Sequence, residues 1–195
     1  MFIGVDIGGS NMAAGLFDEN RKLITTAKVK SRAKEETEVI IGQLFKVIDK
    51  LREYIPLDKK LLAIGIGVAG LVDSKTSIMK HSVNITIDEV NFKDIIKKKY
   101  DVLAKVENDV NAGVIGEWKY GAGIGHDDII GAFVGTCIGG GVMEAVGEQY
   151  LPKIKRVARG STFSKSFDDC DFKLAKLGDQ AGVYGAMQIV ASEFN

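Results

Sequence analysis

Apolar and polar positions change period several times along the chain, and each change marks an element. Phe2 to Asp6 is a short apolar run that stops at the turn sequence DIGGSN. Asn11 to Phe17 resumes as a second strand, and Leu23 to Val29 alternates as a third. Period-two alternation is what a half-buried strand requires. Gly8 and Gly9 fall where a strand-to-strand turn calls for positive φ, so the three runs predict an antiparallel meander. From Glu35 to Tyr54 the period becomes helical, with Val39, Ile40, Leu44, Val47, Ile48 and Leu51 on one stripe. Pro56 ends that helix. Leu61 to Val68 is continuously apolar, as strands of buried parallel sheets tend to be. Asn91 to Tyr100 reads as a basic amphipathic helix with Asn91 as N-cap and Phe92, Ile95 and Ile96 inward. Val102 to Val106 is another strand, and Asn108 or Asp109 caps a helix that runs to about Tyr120. The order is βββαβαβα.

A glycine-rich joint, GAGIG from Gly121 to Gly125, separates this part from the rest. Beyond it the pattern predicts a strand over Ile129 to Val134 and a helix from about Val142 to Val157, disturbed at Pro152. A strand over Phe172 to Leu177 and a helix over Gln180 to Phe194 follow. The second part is therefore only βαβα. The expected division is a first lobe over residues 1–122 and a smaller second lobe over 123–195.

Composition narrows the function. Lys+Arg and Asp+Glu both number 26, so the formal net charge is zero, against the basic excess that nucleic-acid binding needs. No run of about 18 apolar residues occurs, so no membrane-spanning helix is expected. No basic segment precedes an apolar stretch at the N-terminus, so no secretory signal is visible. Cys137 and Cys170 form no CxxC pair, which argues against a disulfide framework and a zinc site and for a reducing cytoplasm. Apolar residues make up 46%, enough for a core. Glycine is the outlier, with 23 residues clustered in short bursts, several right after apolar runs.

Glycine loops after strands allow unhindered amides to converge on a phosphate. The Walker pattern GxxxxGK[ST] is absent from the sequence. Gly65 to Gly70 matches GxGxxG, but turn residues follow where a dinucleotide fold needs a helix to begin. Asn108 and Asp109 stand at a helix start, where capping alone is a sufficient reason for either. Gly8-Gly9 read alone is a tight hairpin, and Asn84 read alone is a turn residue. His81 and His126 read as solvated loop residues, and Lys97 to Lys99 as a solvated helix face.

The combination of motifs goes further. VDIGGSN from Val5, followed by AGLFD from Ala14, resembles the first phosphate loop of the sugar kinase, heat-shock ATPase and actin superfamily. GVAGLVD from Gly67, SVN ending at Asn84, VENDVNA from Val106 and GEWKYGAGIGH from Gly116 resemble the ROK family, above all its bacterial glucokinase-type members. That resemblance implies a ribonuclease-H-like, actin-type ATPase fold of class α/β, with a complete N-terminal lobe and a truncated C-terminal one. It implies ATP and Mg²⁺ as cofactors and a hexose as substrate. Asp6 would lie near the Mg²⁺, through water. Gly8, Gly9, Ser10 and Asn11 would line the β/γ-phosphate hairpin, and Gly135 and Thr136 the second phosphate loop. Gly139, Gly140 and Gly141 would belong to the adenosine loop. Asn84 and Asn108 would hydrogen-bond sugar hydroxyls, and Asp109 would be the general base.

The chain also departs from the family pattern. The Glu-x-Gly-His sugar motif and the cysteine-rich zinc motif expected after the second phosphate loop are missing. LGDQAGVYGAM from Leu177 nonetheless resembles the family's C-terminal helix. Gly139 to Gly141 serves both the phosphate and the adenosine motif, which points to an internal deletion, natural or engineered. A shortened lobe with an uncovered sheet edge predicts a homodimer through that lobe, with weak sugar affinity and slow or no transfer. The alternatives are an engineered or truncated minimal protein that folds, dimerises and at most binds nucleotide, and a ROK-type sugar-responsive regulator.

Overall fold

The computed structural model describes residues 1–73, 75–131 and 173–194, together with Pro152, Lys155, Arg156, Arg159 and Asp171. Its elements in chain order are β1 (Phe2–Ile7), β2 (Asn11–Phe17), β3 (Leu23–Lys30), α1 (Thr37–Arg52), β4 (Ala63–Val68), β5 (Leu71–Asp73), β6 (Ile78–His81), β7 (Val90–Asn91), α2 (Phe92–Tyr100), β8 (Leu103–Asn108) and α3 (Asp109–Tyr120). A 3₁₀ turn (Gly178–Gln180), helix α4 (Ala181–Ala191) and a second 3₁₀ turn (Ser192–Phe194) close the chain.

The expected meander is present: β1 pairs antiparallel with β2, and β2 with β3. β4 and β8 add to it in parallel, giving the order β3-β2-β1-β4-β8. The sequence pattern predicts no strands between β4 and α2. The chain has three short ones there, β5, β6 and β7, paired antiparallel in a small separate sheet. They are too short and too mixed in polarity to show a period.

The two faces of the main sheet differ in side-chain size, and this decides what covers each. Ile3, Val5 and Ile7 of β1 and Ile64, Ile66 and Val68 of β4 point to one face, where the buried stripe of α1 and Phe92 and Ile96 of α2 fill the core. The alternate positions are Phe2, Gly4 and Asp6, and Ala63, Gly65 and Gly67. That face is low, and α4 lies directly on it. A Cβ at Gly65 would stand 1.7 Å from the carbonyl oxygen of Ala186, and one at Gly185 would stand 1.6 Å from that of Ala112 in α3. The GxGxxG string is thus a platform for helix packing, with a turn and the short strand β5 after it.

The last helix was expected in the second lobe, but it packs on the first sheet and against α3. It is buried on most sides, through Val183, Met187, Val190 and Ala191. Each of the valine and methionine side chains contributes roughly 1.5–3 kcal/mol when fully buried. Its Gln188 Oε1 accepts a 2.5 Å hydrogen bond from Tyr120, and Tyr184 stacks edge-on to Phe17 with centroids 5.0 Å apart.

Two further expectations change. Lys173 to Leu177 do not form a strand, because the amides of Lys176 and Leu177 are directed to the carboxylate of Glu117 and not to a ladder. Ile129 to Gly131 are not in a strand either. The rest of that expected strand lies outside the described residues. So does the helix expected over residues 142–157, apart from Pro152, Lys155 and Arg156, which are helical.

Candidate active site

β1, β4 and β8 end together, because Ile7 is in register with Val68 and Val68 with Asn108. In open α/β sheets the carboxyl ends of parallel strands are where ligands bind. Three loops leave this edge: the hairpin from Gly8 to Asn11, the turn through Ala69 and Gly70, and the start of α3.

The hairpin is closed by the Gly8 amide, which donates to the Asn11 carbonyl at 3.0 Å. Gly9 and Ser10 stand exposed at its tip. Neither Gly8 nor Gly9 takes a positive φ, contrary to the turn chemistry expected of them. At Gly8 the lack of a side chain serves close approach, since a Cβ there would lie 3.3 Å from the Asn11 carbonyl oxygen; one at Gly9 would make an ordinary 3.6 Å contact with Asn84. Asn84 is thereby set against the hairpin tip. Ser82 holds it there, donating to the Ala69 carbonyl at 2.5 Å and accepting from the amides of Asn84 and Ile85.

Of the two cap candidates, Asn108 and Asp109, the N-cap of α3 is Asn108. Its Oδ1 accepts from Val110 at 2.9 Å and Asn111 at 3.2 Å. Its Nδ2 donates to the Gly70 carbonyl at 2.9 Å and to Asp109 Oδ1 at 3.0 Å. One side chain therefore caps the helix, ties it to the β4 loop and orients the Asp109 carboxylate. Burial raises the Asp109 carboxyl above its ordinary range, while hydrogen bonds from backbone amides and Asn108 partly offset this.

Asp6 sits on the low face of β1 under the start of α4, where a Cβ at Gly182 would come within 2.6 Å of its Oδ2. Its pKa is pushed up to about 6, first by burial and then by the negative charges of Asp109 and Asp179. Asp179, carried by the 3₁₀ turn before α4, was not foreseen; only its place in the C-terminal motif hinted at it. Among the described residues no group of three or more His, Cys, Asp or Glu could hold a metal ion directly. The donor set does fit a hydrated Mg²⁺. A dication near Asp6 would relieve its burial and the repulsion from its neighbours, and Mg²⁺ commonly keeps several waters.

A second feature was missed. Gly9 and Ser10 share a cavity of about 280 Å³ with Lys30, Arg32, Ala33, Lys34 and Glu35. The signal was the alternation of Lys28, Lys30, Arg32 and Lys34 in the sequence. Arg32 holds a left-handed φ of 53° and pairs with Glu35 at 2.7 Å. The structure thus brings together Asp6, Gly8, Gly9, Ser10, Asn11, Asn84, Asn108 and Asp109. Gly135, Thr136, Gly139, Gly140 and Gly141 lie outside the described residues.

A mixed sheet with this order, and a glycine hairpin beside an Asn-Asp pair at its parallel edge, defines an α/β protein of the actin-like ATPase and sugar-kinase class. The sequence profile of the ROK family matches residues 2–146, and the chain belongs to that family. It is 34% identical over 141 residues to a glucokinase of Streptomyces coelicolor, covering 72% of this chain and 43% of the relative. It is 31% identical over 147 residues to the xylose repressor of Bacillus subtilis, covering 72% of this chain and 36% of the relative. A crystal structure of a ROK family glucokinase from Streptomyces griseus, in complex with glucose and AMPPNP, is similar at 36% identity and a TM-score of 0.58. That likeness covers 65% of this chain and 39% of the other. The chain thus spans less than half the length of the curated relatives it matches.

Proposed function

We propose that the chain is an ATP-dependent hexose kinase of ROK type by descent, with a weak phosphoryl-transfer activity. The sugar is held by Asn84 and Asn108. Asp109 takes the proton of the attacking hydroxyl as that oxygen displaces the nucleotide's terminal phosphoryl group. The oxygen–phosphorus bond forms, the bond to the leaving oxygen breaks, and ADP departs with the electron pair. Mg²⁺ supplies charge neutralisation to the phosphates; Asp6 would hold it through water. Gly9 and Ser10 at the exposed tip, with Lys30, Arg32 and Lys34 beside them, give the phosphates a positive neighbourhood.

The observation that carries this reading is Asp109: a half-buried carboxylate oriented by Asn108, with its proton affinity raised by burial, at the shared end of three parallel strands. A raised proton affinity makes a carboxylate a better base. Weak activity follows from the missing Glu-x-Gly-His motif, which removes further sugar contacts. By the same reading the shortened lobe pairs with that of a second copy, so sedimentation at tens of micromolar should show a dimer.

Glucose-dependent ADP release from Mg·ATP tests the kinase reading. The likeness to xylose repressors favours a second reading, a sugar-responsive regulator. Sugar binding by calorimetry with no ADP release would decide for it.

A further inference from the structure

Glu117 is buried, 7% exposed, and lies near the end of α3. Its carboxylate accepts three backbone amides from two distant stretches of chain. Oε2 accepts from Ala122 at 2.7 Å, and Oε1 accepts from Lys176 at 2.9 Å and Leu177 at 2.6 Å. Its own carbonyl accepts from Gly121 at 3.0 Å and Gly123 at 2.9 Å. Gly121 is pressed so close that a Cβ there would overlap the carboxylate. The chain leaves the first sheet's helices at Gly121 to Gly123 and returns at Lys176 to Leu177. Two lesser ties flank the same place: Trp118 Nε1 donates to the His126 carbonyl at 2.7 Å, and Lys173 Nζ lies 2.6 Å from His126 Nε2.

We propose that Glu117 is a positioning residue that clamps the departing and returning chain together and so sets the start of α4 over Asp6. Leu177 is followed directly by the 3₁₀ turn and by Gly182, whose backbone packs on the Asp6 carboxylate. A carboxylate suits this task because both oxygens accept and neither donates, so each can serve a different crossing. Charge-assisted hydrogen bonds to buried amides are also about twice as strong as neutral ones. The consequence for phosphoryl transfer rests on the proposed kinase function; the clamp does not.

The test is hydrogen–deuterium exchange on the full chain, wild type against Glu117→Gln. The amide turns one acceptor oxygen into a donor, so one crossing faces an N–H and loses its bond. Peptides covering that crossing should exchange roughly tenfold faster or more, while those covering β4 stay unchanged. Unchanged exchange at both crossings, or equal acceleration throughout the main sheet, would overturn the proposal. Should the Gln variant fail to fold, Glu117→Asp keeps the charge but shortens the reach by one methylene and should free one crossing only. In glucose phosphorylation the Gln variant should lose kcat roughly tenfold or more with the sugar KM within about twofold. A raised KM at unchanged kcat would count against the clamp. Exchange needs no substrate, so a chain without transferase activity still tests the clamp. A chain whose transfer depends on Asp109 but whose crossings ignore Glu117 rejects the clamp alone.

Discussion

Asp6→Asn should make the protein's stability less dependent on pH. In the folded state burial and the charges of Asp109 and Asp179 raise the Asp6 carboxyl from 3.8 to about 6. A group raised on folding stabilises fully below its unfolded value, and that stabilisation is lost as pH rises through the folded one. Asp6 therefore favours the fold in acid and opposes it at neutrality. At about 1.4 kcal/mol per pH unit, the gap comes to about 3 kcal/mol at its limit, and about 2–3 kcal/mol between pH 4 and pH 7.5. Urea unfolding of wild type and Asp6→Asn across this range gives the difference directly, since the other titrating groups are common to both. Wild type should lose stability relative to the variant as pH rises from 4 to 7.5. Parallel stability curves would refute the reasoning, because they would mean that Asp6 ionises without cost at its place under α4. Mg²⁺ added at pH 7.5 should recover part of the loss in wild type and little in the variant.

Other substitutions test the packing and the site. Gly185→Ala should destabilise by about 1–3 kcal/mol or more in thermal unfolding, because a Cβ there would collide with the Ala112 carbonyl, which lies within the α3 backbone. Asn108→Asp should keep α3 capped, since Asp caps as well as Asn. It loses the donor to Gly70 and Asp109, so stability should hold far better than sugar binding in calorimetry. Removing residues from Gly178 onward should abolish cooperative unfolding, because Phe2, Phe17 and Ala63 lose their cover.

Apart from β5 to β7, the order of strands and helices through Tyr120 was legible because the core elements carry clear apolar patterns. α1 is the clearest case: of the expected stripe Ile40, Leu44, Val47, Ile48 and Leu51 are buried, and Val39 at its start is only partly so. The cap of α3 was legible to within one residue, as Asn108 or Asp109, for the same local reason. What escaped was long-range. Val183 and Met187 show that α4 is apolar, but nothing local says which sheet it covers. The answer lay in β4, where Gly65 and Gly67 alternate with isoleucine and valine and so make one face of the sheet low. Read as GxGxxG, that string matches a dinucleotide motif without the helix such a motif needs; read with period two, it describes a seat for a helix. Glu117 was hidden likewise, because two of its three amide partners, Lys176 and Leu177, are set by tertiary contact across more than fifty residues. β5 to β7 are too short to carry a pattern.

Asp109 as the base of sugar phosphorylation is the central claim, and one comparison tests it most directly. Wild type and Asp109→Asn are incubated with Mg·ATP and glucose, and phosphorylated glucose is followed over hours. The account predicts slow, glucose-dependent product from wild type and a rate lower by about 100-fold or more in the variant, in keeping with the loss of a general base. Equal trace rates in the two proteins would contradict it.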